Sequence, residues 1–351
     1  MQVGVNYPWF DYGWDFGVPP PGWRGDQPRW VEHIDADLQR LHDLGISVIR
    51  WFVLGDGLTY GTAEQAPWHD GFDWHFSPPP MDEQVGRDFE LLLEAIDRFN
   101  AAAAPPIRLL PVLIDFPFAS PGAPIEQPHP FEPGTMAQTG WVKQGRHEAI
   151  ATDASRRAFL TATLDPLLAI SQRHLDAIYA WESINEPDWI TNGWHPDGRS
   201  NHPVEAPAMR AFLEDASAQI RAAGFRTTIG FSLLETLVVS EITADVNQFH
   251  HYPDGARPLP PHTFNPEFPA IIGEFATVPA DVWPELRYQT IFSRLRRAER
   301  QGYPLALLWS FRRRDRHGEW TADVEADVLR FRDTPARARK RRRAARRRSR
   351  S

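Results

Sequence analysis

The chain has 351 residues, 42% of them hydrophobic, which is ample for a sizeable core and excludes a disordered protein. It has no cysteine, so disulfides, thiolate metal sites and a cysteine nucleophile are excluded. The formal charge of −8 is unevenly spread: residues 337–350, "RARKRRRAARRRSR", hold ten Arg or Lys and no acid, which leaves 28 basic against 46 acidic residues, about −18, in the remainder.

Met1 leads directly into the strand-like "QVGVNYPWF", without the basic segment and apolar core of an export signal. No apolar stretch approaches the ~20 residues that cross a bilayer. The expectation is a cytoplasmic protein with no membrane partner. Short apolar runs then recur along the chain: "VGVNY" (3–7), "SVIRWFVL" (47–54), "IRLLPVLIDF" (107–116), "AIYAWESIN" (177–185), "TTIGFS" (227–232), "VNQFH" (246–250), "AIIGEF" (270–275) and "LALLWSF" (305–311). Between them, Trp30, Ile34, Leu38 and Leu41 recur at helical spacing, as do Phe89, Leu92, Leu93, Ile96 and Phe99, and residues 155–172, 206–223 and 285–301 read as helices.

Strand and helix alternating through eight units imply a parallel sheet closed on itself. The expected fold is α/β, a single-domain (β/α)8 TIM barrel over residues 1–334, with no linker dividing it. Long loops rich in Pro, Gly and Trp follow several strands, at 55–81, 117–150 and 187–205, and loops of that size on a regular scaffold are usually functional. Residues 252–269 are too rich in proline for a helix, so one outer helix is expected to be missing or reduced to a turn. The basic tail, 335–351, repels itself and is expected to be a disordered, solvated appendage, with nucleic acid or another anionic surface as the partner its charge would attract.

Polar residues gather at the ends of the apolar runs. Arg50, Asp115, Asn185 with Glu186, His250 with Tyr252, Glu274 and Trp309 stand where strands end, and a closed barrel brings the carboxyl ends of its strands to one face. A buried carboxylate is costly unless it is paired or chemically employed. Glu186 on the fourth strand and Glu274 on the seventh could meet across the barrel mouth, the arrangement that cleavage of a glycosidic bond by two carboxyl groups requires. Adjacent residues of a regular strand point to opposite faces, so for Asn185 and Glu186 to share the mouth the strand must end or bulge before Pro187. His250 and Tyr252 share a face by the same alternation, His251 points away, and Glu182, with the parity of Glu186 but deeper, is expected to pair with a base or an amide.

The ordered set "WESINEP", "FHHYP" and "IIGEF" on this eightfold pattern resembles clan A of the glycoside hydrolases, and family 5 most of all, over roughly residues 2–332. The resemblance implies that Glu186 is the general acid/base and Glu274 the nucleophile of a retaining hydrolase. It also implies Arg50 beside the nucleophile, Asn185 on the sugar 2-hydroxyl, His250 and Tyr252 on strand six, and Trp309 beneath the sugar ring. Where the family commonly has a histidine just after strand three, this chain reads "LIDFPFASPG", offering Asp115 and Phe116, with His129 only further along the loop. The resemblance therefore carries no particular sugar or linkage. In the double displacement it implies, Arg50 and Tyr252 keep Glu274 ionised while Glu186 holds a raised pKa, with carboxyl groups ~5–5.5 Å apart rather than the ~6.5–9.5 Å of an inverting pair.

Fourteen tryptophans are many for this length, and their faces suit the CH faces of sugars. Trp309, Trp189 and Trp194 are the preferred contacts among a set at or beyond strand ends that includes Trp9, Trp14, Trp51, Trp68, Trp74 and Trp141; Asp11, Asp15, Asp56 and Asp188 are candidate hydroxyl acceptors. Scattered histidines without a His-Glu-x-x-His stretch point to no metal, and the two-carboxylate reaction calls for no cofactor. The partner expected is a glycoside, oligosaccharide or polysaccharide. Two rival readings are a non-catalytic carbohydrate-binding barrel, which would not need both glutamates, and a nucleic-acid-associated protein acting through its tail; removal of residues 336–351 separates the latter, because an enzyme keeps its turnover while salt-sensitive nucleic-acid binding disappears.

Overall fold

The computed structural model of the chain describes residues 1–10, 14–18, 27–55, 57, 80–119, 147–195, 203–252, 259–260, 270–277, 289–312 and 318–334. Trp68, Trp74, Trp141, Asp11, Asp56, His129, most of the proline-rich segment 252–269 and the basic tail lie outside the described residues.

Eight strands, β1 (Gln2–Asn6), β2 (Ile46–Phe52), β3 (Arg108–Asp115), β4 (Trp181–Asn185), β5 (Thr227–Phe231), β6 (Val246–His251), β7 (Ala270–Ala276) and β8 (Leu305–Trp309), pair in sequence order, and β8 closes on β1. Every pairing is parallel. The fold is a (β/α)8 barrel. Alternate strand residues divide between two apolar clusters. One, of Val48, Phe52, Leu110, Val112, Val246, Ile271, Leu305, Leu307 and Trp309, fills the ring, and the larger one joins strands to helices.

The outer elements are α1 (Ile34–Asp43), α2 (Glu83–Asn100), α3 (Glu148–Ala151), α4 (Asp153–Ser171), α5 (Ala206–Ala222), α6 (Leu234–Val239), α7 (Ile291–Gln301) and α8 (Ala322–Asp333). Local chemistry sets their ends. Asp82 accepts the Gln84 N–H at the start of α2, Thr152 and Ser155 form a reciprocal cap on α4, and Thr290 and Thr321 cap α7 and α8. Gly302, at φ 97°, ends α7 in the left-handed region. The helix α2 turns Val85, Phe89, Leu92, Leu93 and Ile96 to the core, the face its periodicity predicts.

Three differences from the sequence reading have local causes. Trp30 sits in a 3-10 turn, Arg29–Glu32, ahead of α1, so the helical spacing from Trp30 to Leu41 is interrupted at His33. Residues 177–180 are not strand: a 3-10 turn, Gln172–Ala177, with His174 at φ −130° and ψ 43°, delivers the chain to β4 only at Trp181. The helices α3, α6 and α8 were not expected; α3 and α6 span four and six residues, too short to show a helical period. Among the described residues no helix is long and apolar enough to cross a membrane.

Candidate active site

β4 ends at Asn185, and Glu186 takes left-handed backbone angles, φ 47° and ψ 51°, immediately before the 3-10 turn Pro187–Trp189. A non-glycine residue there costs about 1–3 kcal/mol. The Glu186 N–H is held by the Gly230 carbonyl of β5 at 2.6 Å, and the reversal breaks the strand alternation, so Asn185 and Glu186 both contribute to the same end of the barrel.

Arg50 of β2 is the hub of that end. It is completely buried, and all five of its N–H donors are used: Nε to Glu182 Oε2 at 2.7 Å, Nη1 to Asn6 Oδ1 and Glu274 Oε1 at 2.8 Å each, and Nη2 to Glu182 Oε1 and Asn185 Oδ1 at 2.7 Å each. Burial by itself would lower its pKa, but the two carboxylates reverse this and keep the guanidinium charged. Glu182, fully buried, also accepts from Gln248 Nε2 at 2.8 Å, so the deeper glutamate of β4 has the base and the amide its position demands. Two glycines on neighbouring strands make room for this pair: a Cβ on Gly230 would lie 2.2 Å from Glu182 Oε1, and one on Gly273 would lie 2.4 Å from Gln248 Cδ.

Above the hub, Glu274 of β7 is bonded on Oε1 by Arg50 and on Oε2 by the Tyr252 hydroxyl, a short contact. Glu186 accepts from Trp189 Nε1 on Oε2 at 2.8 Å and from His250 Nδ1 on Oε1 at 2.7 Å, and the same His250 nitrogen lies 3.5 Å from Glu274 Oε2. Two acceptors facing Nδ1 place the imidazole proton on that atom. Ligating atoms of Glu186, His250 and Glu274 lie within 4.8 Å of one another.

Burial is the largest influence on all three groups. It lowers the pKa of His250, which keeps the imidazole neutral near pH 7. It raises Glu274 to about 7 against the opposing pull of His250, Arg50 and the Tyr252 hydrogen bond, and raises Glu186 to about 8, with the Asp188 carboxylate adding to the effect. The expectation that Arg50 and Tyr252 hold Glu274 ionised is thus only half of the balance. Glu274 is raised less than Glu186, and neither carboxyl group sits in the ordinary range, because burial outweighs the donors around each.

The predicted tryptophans divide. Trp309 ends β8 at the top of the ring cluster, with Trp9 edge-on at 6.1 Å. Trp189 is half-buried, stacked on His195 at 3.9 Å and 6.3 Å from Phe116, and tied to Glu186. Trp194 is 4% exposed, packed against Phe231 and Arg210, and offers no open face. Trp14 and Trp51 are core residues, and Asp15 serves Trp51 Nε1 and the Phe10 N–H. His251, with its pKa lowered to about 3 by burial and by Arg294 and Arg297, stacks on Phe275 away from the glutamates. Asp115 accepts from Asn185 Nδ2 at 2.8 Å. Asn6 and Gln248 were not singled out from sequence; a polar residue closing or interrupting an apolar strand run, "VGVN" and "VNQF", was the signal.

No family model matches the chain, and no curated protein matches it. Among solved structures it is similar to the endo-1,4-beta-mannanase from Eisenia fetida, at 17% identity and a TM-score of 0.65 over 95% of this chain and 91% of that one. It is similar also to the beta-mannanase from the blue mussel Mytilus edulis, at 16% identity and a TM-score of 0.62 over 96% and 92%. A third, GH5_18 from Streptomyces cattleya in complex with GlcNAc, has 15% identity and a TM-score of 0.57 over 95% and 81%. At these identities the likeness establishes the barrel over almost the whole chain.

Proposed function

We propose that the chain is a retaining glycoside hydrolase that cleaves β-linked O-glycosidic bonds, with Glu274 as nucleophile and Glu186 as acid/base. The observation that carries this reading is the approach of one carboxyl oxygen of Glu186 and one of Glu274 to within 4.8 Å at the mouth of the barrel, with Glu274 on a cation and Glu186 near an anion. A barrel that only bound sugar would have no reason to keep two carboxylates at a separation where their charges repel. The mannanases that share this barrel act, by their names, on β-linked polysaccharides, which supports the substrate class.

The surroundings divide the labour. Glu274 loses its proton first and attacks the anomeric carbon, while Glu186 gives its proton to the departing oxygen as that C–O bond breaks. Glu186, now a carboxylate, takes a proton from water; the water oxygen adds to the anomeric carbon, the bond to Glu274 breaks, and the sugar leaves with its configuration retained. Arg50 and Tyr252 stabilise the carboxylate that Glu274 presents at the start and recovers at the end. Asn185, fixed on both sides by Arg50 and Asp115, is the residue assigned to a sugar hydroxyl. Trp309 and Trp189 supply the sugar platforms. The basic tail is an appendage to this single catalytic domain.

The test is a screen of aryl β-glycosides and of β-glucan and mannan oligomers, with anomeric configuration followed by NMR. Glu274→Ala is expected to lose at least about a thousandfold in kcat. Glu186→Ala is expected to recover turnover of a dinitrophenyl glycoside when azide is added, because the small anion replaces the water that Glu186 activates. Inverted product, or a Glu274→Ala variant as active as wild type, overturns the assignment.

A further inference from the structure

The mechanism leaves Asp188, a fully buried carboxylate, unused. Asp188 stands two residues after Glu186 in the turn Pro187–Trp189 and has no solvent exposure. Its oxygens accept the Ser232 N–H at 3.0 Å and the Ser232 hydroxyl in a short contact just after β5. No basic side chain pairs with it among the described residues. A buried carboxylate without a counter-cation is costly, and such groups are retained where the charge is used.

Two groups respond to that charge. Asp188 acts on Glu186 to disfavour its ionised form and on His250 to favour its protonated form, and burial outweighs the latter. From the other elements around Glu186, the Trp189 N–H and Arg50 of β2 act to favour its ionised form, while Glu182 of β4 acts with Asp188. Glu274 of β7 and the Nδ1 proton of His250 complete the surroundings. Asp188 itself is bonded by Ser232, and burial raises its own pKa against the two Ser232 donors and the charge of His250.

We infer that Asp188 is a positioning residue whose negative charge, held by Ser232, keeps Glu186 loaded with its proton until the glycosidic oxygen departs. The inference rests on the two-glutamate reaction proposed above. The same repulsion makes Glu186 the stronger base in the second half of the reaction, when it must take a proton from water. The left-handed residue Glu186 leads directly into the 3-10 turn that carries Asp188, so the two carboxyl groups belong to one tight turn.

Asp188→Asn removes the charge and keeps the shape, and its amide can still accept from the Ser232 N–H and donate to the hydroxyl. With an unactivated aryl glycoside, whose leaving group needs the acid, the alkaline limb of kcat/KM is expected to move down by about one pH unit, a loss of about tenfold above that limb. With a dinitrophenyl glycoside, which needs no acid, kcat/KM should match wild type throughout. If Asp188→Asn does not fold, Ser232→Ala, which withdraws the hydroxyl donor and so favours protonation of Asp188, should move the limb in the same direction. An unmoved limb in the folded variants, or an equal loss at every pH with both substrates, overturns the inference. Azide rescue of Glu186→Ala separates that failure from failure of the underlying reading: rescue with an unmoved limb removes Asp188 alone, and absence of rescue removes the assignment of Glu186.

Discussion

Glu274 and Glu186 are buried at the same end of one barrel, but their walls differ. On the β2 and β7 side, Glu274 receives a guanidinium N–H from Arg50 and a phenol from Tyr252. On the β4 side, Glu186 receives an indole N–H from Trp189 and an imidazole N–H from His250, and the nearby Asp188 carboxylate has no cation of its own among the described residues. Both carboxyl groups are pushed up by burial, so the difference between them comes from what each wall adds: charge-assisted donors on one side, an uncompensated anion on the other. Two chemically identical side chains are thereby separated in the order in which they give up protons, which acid and nucleophile roles require.

The largest effect should come from breaking the cationic wall. Arg50→Met leaves Glu182 and Glu274 without their shared cation, and removal of one partner from a buried ion pair typically costs about 3–5 kcal/mol. A large fall in melting temperature is expected. Adding Glu182→Leu should restore much of the thermal stability, because a buried pair replaced by apolar residues is close to neutral, yet activity should stay low because Glu274 still lacks its cation. Restoration of activity in the double variant would mean that Arg50 serves only Glu182.

A smaller effect is expected from Tyr252→Phe, which removes one hydrogen bond to a charged group, worth about 1.5–3 kcal/mol and so about ten- to a hundredfold in kcat/KM. Its signature is directional. The hydroxyl favours the ionised form of Glu274, so its loss should move the acid limb of the profile upward and leave the alkaline limb in place. Movement of the alkaline limb alone would reassign Tyr252 to the other wall.

The finest measurement is the wild-type profile itself. Activity is expected to fall as pH drops through about 7, where Glu274 takes up a proton, and to fall again as pH rises through about 8, where Glu186 loses one. The expected curve for kcat/KM is a narrow bell between these values, and because the groups are coupled its two limbs belong to the pair. A broad plateau across pH 5–9 would show that the walls do not separate the two groups as described.

Sequence carried the fold further than the site. The eight apolar runs mark the eight strands to within a few residues, except where 177–180 was read into β4, because a buried parallel strand is spelled by the chain itself. Residues at strand ends, Arg50, Glu186, His250 and Glu274, were legible as a group because the barrel's closure brings those ends to one face. Asn6 and Gln248 were not: their importance lies in contacts to Arg50 and Glu182 across the ring, which no local pattern records. Trp194 misleads from sequence because a tryptophan in a loop and one under a helix have the same local surroundings; only packing against Phe231 and Arg210 distinguishes them.

The sequence by itself determined that the chain would close into an eightfold parallel barrel and which acids would stand at its mouth, since apolar period and strand termination are properties of consecutive residues. Only the tertiary structure decided that Arg50 is shared between two carboxylates, that burial lifts both glutamates, and that Asp188 is held by Ser232. Desolvation and charge pairing depend on distance in space rather than distance along the chain, and residues as far apart as 50 and 274 come within hydrogen-bond reach only when the ring is closed.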